Sequence, residues 1–158
     1  MLIVGCGNIA GGLEMSLKER PDFPITHAGA FKNDSRFLLD AFVDPETEKR
    51  SQFMDYWNVA KGFDNLSQAL KQGEYFDIIS ICSPTNRHFL HLEEAIKLRP
   101  KLVFAEKPLT SDISESKRVI EKYKKENIKL VVNYSRRWDS SLEDFKLEMV
   151  NGKFGELR

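Results

Sequence analysis

The sequence predicts a doubly wound, mostly parallel α/β sheet of six strands in three layers, α/β/α, on three observations. An apolar run at the start, Leu2-Ile3-Val4, leads directly into the closely spaced small residues of Gly5-Cys6-Gly7-Asn8-Ile9-Ala10. From there strand-like and helix-like segments alternate, the pattern of strands laid side by side in one direction and joined by helical crossovers. The most hydrophobic run, Phe76 to Cys82, lies mid-chain and reads as a central strand.

Each element has its own signal. Leu2-Ile3-Val4 is the first strand, and Leu13 to Glu19 is a short amphipathic helix that must end before Pro21 and Pro24. Arg20 to Thr26 is therefore irregular, and His27 to Lys32 resumes a helix. Leu38 to Val43 reads as the second strand, ending in Asp44-Pro45, with a helix from Pro45 to Asn58. Lys61-Gly62-Phe63 is a brief third strand, and Asn65 to Gln72 is a helix with Leu66, Ala69 and Leu70 on one face. The fourth strand closes in Ser83-Pro84-Thr85-Asn86, and a helix runs from Arg87 to Leu98. Leu102 to Ala105 is the fifth strand, followed by Glu106-Lys107-Pro108. Ser111 or Asp112 caps a helix reaching about Asn127, with Glu115 and Arg118 spaced for a surface pair. Leu130 to Asn133 is the sixth strand, Tyr134 to Ser141 an arginine-rich loop, and Leu142 to Val150 a last helix.

At 158 residues the chain has the length of one ordinary domain. Its 24 basic and 24 acidic residues balance, so no field recruits nucleic acid or an anionic membrane. No run approaches the ~18 apolar residues of a membrane span, and a soluble, cytoplasmic protein is expected. Cys6 and Cys82 lack metal-ligand spacing. Both fall near the carboxyl ends of neighbouring strands, either as a redox pair or as small buried residues beneath a ligand site.

The opening stretch carries chemistry. Gly5 permits a sharp turn, Gly7 lets a pyrophosphate approach the backbone, and Ala10 is small enough for close helix packing. The first-turn amides of the following helix are donors at the positive end of a dipole, ready for an anion. Asp44, at the end of the second strand, is placed to accept hydrogen bonds from both adenine-ribose hydroxyls and to repel a 2′-phosphate. It stands 37 residues after Gly7, beyond the usual ~20, and the proline-containing insertion accounts for the excess. Alternatively, or as well, Asp44 caps the next helix with Pro45 in its first position.

Taken together, Gly5-Cys6-Gly7-Asn8-Ile9-Ala10, His27-Ala28-Gly29-Ala30-Phe31, Val43-Asp44, Ser83-Pro84-Thr85-Asn86-Arg87-His88, Glu106-Lys107-Pro108 and Gly152-Lys153-Phe154-Gly155 resemble the Gfo/Idh/MocA oxidoreductases in kind and order. The loop holding Pro84, Asn86 and His88, followed by Glu106-Lys107-Pro108, is the selective part. The resemblance implies a Rossmann domain over residues 1–150 that binds NAD in preference to NADP, with 151–158 beginning a second, substrate-binding domain. It implies a dehydrogenase acting on a hydroxyl of a sugar, cyclitol or nucleotide-sugar, with an oligomer formed, if at all, through that second domain.

Carried over residue by residue, the resemblance makes Lys107 the catalytic cation beside the nicotinamide and gives Lys107-Pro108 a cis peptide. Glu106 would contact the nicotinamide ribose or cap its own loop. Gly5, Gly7, Asn8, Ile9, Ala10, Asp44, Ser83, Pro84, Asn86 and His88 would line the cofactor path, although His88 serves equally as a structural hydrogen-bonder. His27 reads as structural. Arg136, Arg137 and Trp138 face the same crevice or decorate the surface. A second class of function, a dinucleotide-binding sensor or regulatory subunit without turnover, needs the glycine turn but not Lys107. Residues 1–158 alone are expected to bind cofactor weakly and turn over nothing, because they lack the wall that orients substrate and excludes water.

Overall fold

In a computed structural model, which describes residues 1–19 and 21–156, β1 (Leu2–Val4), β2 (Ala41–Val43), β3 (Lys61–Phe63), β4 (Ile78–Ile81), β5 (Leu102–Glu106) and β6 (Lys129–Asn133) form one sheet. Its order is β3-β2-β1-β4-β5-β6, and every neighbouring pair is parallel. This is the Rossmann arrangement, with its topological switch between β1 and β4. Parallel neighbours cannot be joined by a hairpin, so helices carry the chain across. These are α1 (Leu13–Met15), α2 (His27–Asn33), α3 (Thr47–Trp57), α4 (Leu66–Lys71), α5 (Thr85–Ala95) and α6 (Ile113–Lys125), and α7 (Ser140–Val150) follows β6.

Side chains alternate across the strands and build a core on each face. Leu2, Val4, Ile79, Ile81, Val103 and Ala105 pack against Leu92 and Ala95 of α5 and Val119 and Tyr123 of α6. On the other face Ile3 and Phe42 meet Ala28 of α2 and Phe53 and Trp57 of α3. Full burial of one large apolar side chain contributes about 1.5–3 kcal/mol, which fixes each helix to its face. Tyr123 brings a hydroxyl into the core, and it donates to the Leu92 carbonyl at 2.8 Å. Burial, and then the nearby Glu93, push its phenol above the ordinary value.

Several boundaries differ from expectation for local reasons. β2 begins at Ala41 because its partner β1 begins at Leu2 in register with it. Leu38 is instead exposed, and its carbonyl accepts from the Met1 ammonium at 2.8 Å. α5 starts two residues earlier than Arg87, with Pro84 preceding its first turn. The helix expected over Leu13 to Glu19 is one turn long and follows a wide turn at Asn8–Gly12. A Cβ at Gly11 would lie 2.5 Å from Trp57 Nε1, so the bare glycine lets α3 close on this turn. Glu14 then points inward, its Oε1 accepting from the Ile25 and Thr26 amides at 2.9 Å and the Thr26 hydroxyl at 2.7 Å. That carboxylate fastens the insertion to the start of α2.

Asp112 caps α6, accepting from the Ser114 and Glu115 amides. Arg118 lies 4.3 Å from the Phe89 ring centroid and so ties α6 to α5, in place of the surface pair expected with Glu115. Among the described residues no helix is long and apolar enough to cross a membrane. Of the expected segments, Arg20 at the start of the irregular stretch and Leu157 and Arg158 at the end of 151–158 lie outside the described residues.

Candidate functional site

Because all strands run one way, their carboxyl ends make a single edge, and the sequence-predicted site residues fall along it. Gly5 turns the chain out of β1 with φ +93°. Its amide donates to the Val43 carbonyl at 2.7 Å. A Cβ there would sit 2.8 Å from both Cα and N of Ser83, so glycine is required for the ends of β1 and β4 to touch.

Above Gly7 the space is open, since a Cβ built on it meets nothing within 4 Å. The Gly7 carbonyl accepts from the amides of Gly11 and Gly12 at 3.3 and 3.1 Å. The amides of Asn8, Ile9 and Ala10 lead the turn and have no acceptor within it. Asn8 and Ile9 are exposed, whereas Ala10 is fully buried, as close packing demands.

Asp44 is buried, with Oδ2 accepting from the Cys6 amide at 2.8 Å and Oδ1 from the Glu46 amide at 3.0 Å. It is not the cap of a helix beginning at Pro45, because α3 starts at Thr47 with Glu46 preceding it. The carboxylate instead joins the end of β2 to the glycine turn. Each oxygen keeps acceptor capacity for a further donor, such as a ribose hydroxyl. Arg50 reinforces this corner, donating to the Asp44 carbonyl and pairing with Asp64 at 2.7 Å. A cavity of about 610 Å³ opens here, lined among others by Gly5, Asp44, Lys49, Ser83, Arg87 and His91. Another of about 670 Å³ lies at the opposite, amino edge of the sheet around Met1, Ile78 and Leu102, away from every predicted site residue.

The turn after β4 is held by two histidines. His91 Nδ1 lies 2.8 Å from Ser83 Oγ. Burial, then the charges of Arg87 and His88, lower its pKa to about 4. His88 is 1% exposed, with Nε2 2.8 Å from the Ser83 carbonyl and Nδ1 2.8 Å from the Pro108 carbonyl. Carbonyl oxygens only accept, so a ring nitrogen that carries hydrogen donates to the carbonyl it faces. Of its two expected roles, the structural one is thus satisfied: both nitrogens face backbone. Pro84 and Asn86 are exposed, Asn86 in the first turn of α5.

Glu106 is 8% exposed and turned inward. Oε1 accepts from His27 Nε2 at 2.9 Å and Asn133 Nδ2 at 2.6 Å, and Oε2 from the Lys107 amide at 3.3 Å. Burial opposes its ionisation, yet these donors outweigh it and hold the carboxyl below its usual value. Lys107 is exposed beyond β5, and Lys107-Pro108 is cis. Cys6 and Cys82 are free and buried. Burial first, and Asp44 second, push the Cys6 thiol up to about 12. Burial likewise raises that of Cys82. Both fit the expectation of small buried residues, with thiols harder to ionise than usual. Arg136, Arg137 and Trp138 form an exposed helical turn beyond β6, with Trp138 82% exposed.

Sequence reading missed Asn133 and Ser80, whereas His27 is buried and hydrogen-bonded as a structural residue. One signal was available: Ser80 occupies an inward position of a central strand, where a hydroxyl requires a partner.

A parallel sheet in this order, with an open glycine turn at its switch point and a buried acid closing β2, defines a nucleotide-binding Rossmann domain. The chain belongs to the GFO_IDH_MocA family, described as an oxidoreductase family with an NAD-binding Rossmann fold, whose profile matches residues 1–134. It is 28% identical over 130 residues to a myo-inositol 2-dehydrogenase of Thermotoga maritima, covering 82% of this chain and 38% of that protein. Over 80 residues it is 34% identical to a scyllo-inositol 2-dehydrogenase (NAD⁺) of Bacillus subtilis, covering 51% of this chain and 23% of that one. The fold matches the scyllo-inositol dehydrogenase of Lactobacillus casei solved with NAD(H) and scyllo-inositol, with a TM-score of 0.77 at 22% identity, covering 98% of this chain and 42% of that one. The chain thus spans well under half the length of these relatives.

Proposed function

We propose that residues 1–150 are the cofactor half of an NAD-dependent dehydrogenase acting on a sugar-like or cyclitol hydroxyl, with 151–158 leading toward a substrate domain. The observation that carries this reading is the open space over Gly7 on the same sheet edge as Asp44 and Lys107. The residues suit a dinucleotide. The amides of Asn8 and Ile9, with Ala10 packed beneath them, would receive the pyrophosphate, Asp44 the adenine ribose, and the cavity beside Ser83 and Arg87 the adenosine end. Pro84 and Asn86 would flank its path.

Bound nicotinamide supplies the hydride acceptor or donor. The Lys107 ammonium would hydrogen-bond the reacting hydroxyl and stabilise charge developing on its oxygen. Glu106, with both oxygens engaged, holds the base of that lysine's turn, and contact with the nicotinamide ribose would use its remaining acceptor capacity. The inositol dehydrogenases among the relatives support a polyhydroxylated substrate.

The test is a fluorescence titration of the chain with NADH and NADPH. NADH is expected to bind, and NADPH to bind about tenfold or more weakly, as the Asp44 charge requires. Absence of NADH binding would overturn the cofactor reading, and equal affinities would overturn Asp44 as the selector.

A further inference from the structure

We propose that His27 is a positioning residue for Lys107, acting through Glu106, with His88 gripping the other flank of the same turn. The inference rests on the assignment of Lys107 to the cofactor cleft. His27 is the first residue of α2 and 4% exposed. Thr26 caps that helix by accepting from the Gly29 amide at 3.1 Å, so the imidazole enters beneath β4 and β5 at a fixed point.

Its two nitrogens reach two strands, Nδ1 lying 2.7 Å from Ser80 Oγ and Nε2 2.9 Å from Glu106 Oε1. An ionised carboxylate only accepts, so Nε2 is the end that carries hydrogen toward Glu106. The rings of Phe104 and Phe31, with centroids 5.1 and 6.2 Å away, bound the imidazole and oppose its rotation. Asn133 adds a donor from β6 to the same Glu106 oxygen.

Lys107 therefore has a neighbour fixed on each side. Before it, the Glu106 carboxylate is held from α2 and β6 and accepts the Lys107 amide. After it, the Pro108 carbonyl is held by His88. Glu106 is buried beneath the turn, and the Lys107 side chain is left exposed above it. Sheet stability alone does not call for such a device, since burying a carboxylate carries a desolvation cost that an apolar pair would avoid. What the network supplies is geometry, and a displacement of about 1 Å at a reacting group is enough to matter.

The experiment uses the chain with its lysines converted to ¹³C-dimethyl-lysine, which keeps their charge, and Lys107 assigned from Lys107→Arg. In the native sequence the Lys107 signal is expected to move on saturation with NADH. His27→Met keeps volume but loses the donor. It is expected to bind NADH within about threefold of the native chain while losing about half or more of that displacement. His27→Gln, whose amide still donates, is expected to restore it. Thermal melting monitors folding. Where His27→Met does not fold, Asn133→Leu, which removes the other donor to the same oxygen, takes its place. Full displacement in a folded His27→Met or Asn133→Leu chain that binds NADH would overturn this inference and leave the cofactor reading standing. Failure of the native chain to bind NADH would overturn the cofactor reading and this inference with it.

Discussion

Replacing Gly7 with alanine separates ligand binding from folding. The backbone there has φ −92° and ψ −174°, which alanine adopts freely, and the added Cβ meets nothing within 4 Å. Neither strain nor clash opposes the change. Restricting the unfolded chain adds about 0.4–1 kcal/mol of stability, or about 1–4 °C in melting temperature for a domain of this size. If a pyrophosphate lies against these amides, the methyl group occupies its approach. Loss of one charge-assisted hydrogen bond, about 1.5–3 kcal/mol, weakens NADH binding by about 10- to 100-fold.

Gly5→Ala should do the reverse. At φ +93°, with backbone atoms of Ser83 only 2.8 Å from the new Cβ, no flexible side chain can move aside. About 1–2 kcal/mol for the left-handed backbone and about 1–3 kcal/mol for overpacking give a loss of about 2–5 kcal/mol, or about 4–20 °C. Circular dichroism melts and NADH titrations on the two variants read both quantities. Native-like NADH affinity in Gly7→Ala would refute the placement of the pyrophosphate, and a melting point as low as that of Gly5→Ala would refute the open space itself.

Asp44→Asn removes the charge and turns an amide donor toward the backbone amide of Cys6 or Glu46, costing about 1–3 kcal/mol. It should also narrow the preference for NADH over NADPH by about tenfold, and an unchanged ratio of dissociation constants would exclude Asp44 as selector. The lowered pKa of His91, about 4 against an ordinary 6.5, means that the unfolded chain takes up a proton the folded chain refuses until lower pH. This contribution is therefore fully present above 6.5 and declines as pH falls from 6.5 toward 4, so His91→Gln should flatten that slope. Urea midpoints of both proteins at pH about 7 and about 5 check it, and parallel slopes would refute it. Tyr123→Phe removes the buried hydrogen bond to Leu92, for a loss of about 1 kcal/mol and about 2–4 °C. NADH affinity should be untouched, because α6 lies away from the glycine turn, and any change in that titration would count against the assignment.

Which parts of this architecture can be read in the chain follows from the range of the interactions involved. Strand and helix existence rests on local periodicity, and the parallel sheet follows because alternating elements leave few other ways to bury both faces. The glycine turn was legible for the same reason: Gly5 and Gly7 impose their conformational consequences within a few residues. Boundaries were not, since β2 begins where β1, 39 residues away, supplies a partner, and α1 is set between Gly11, which Trp57 covers, and Glu14, which Thr26 holds.

The site divides along the same line. Asp44 and Lys107 could be placed because each directly ends a strand, and in a parallel sheet all strand ends share an edge. The inward turn of Glu106 depends on His27, 79 residues earlier, and Asn133, 27 residues later, none of which has a helical or strand period relative to another. The motif Glu106-Lys107-Pro108 therefore tells which residue is presented, while what holds it lies in residues the motif does not contain. A His27 variant tests that second layer directly, because it leaves Glu106-Lys107-Pro108 itself in place.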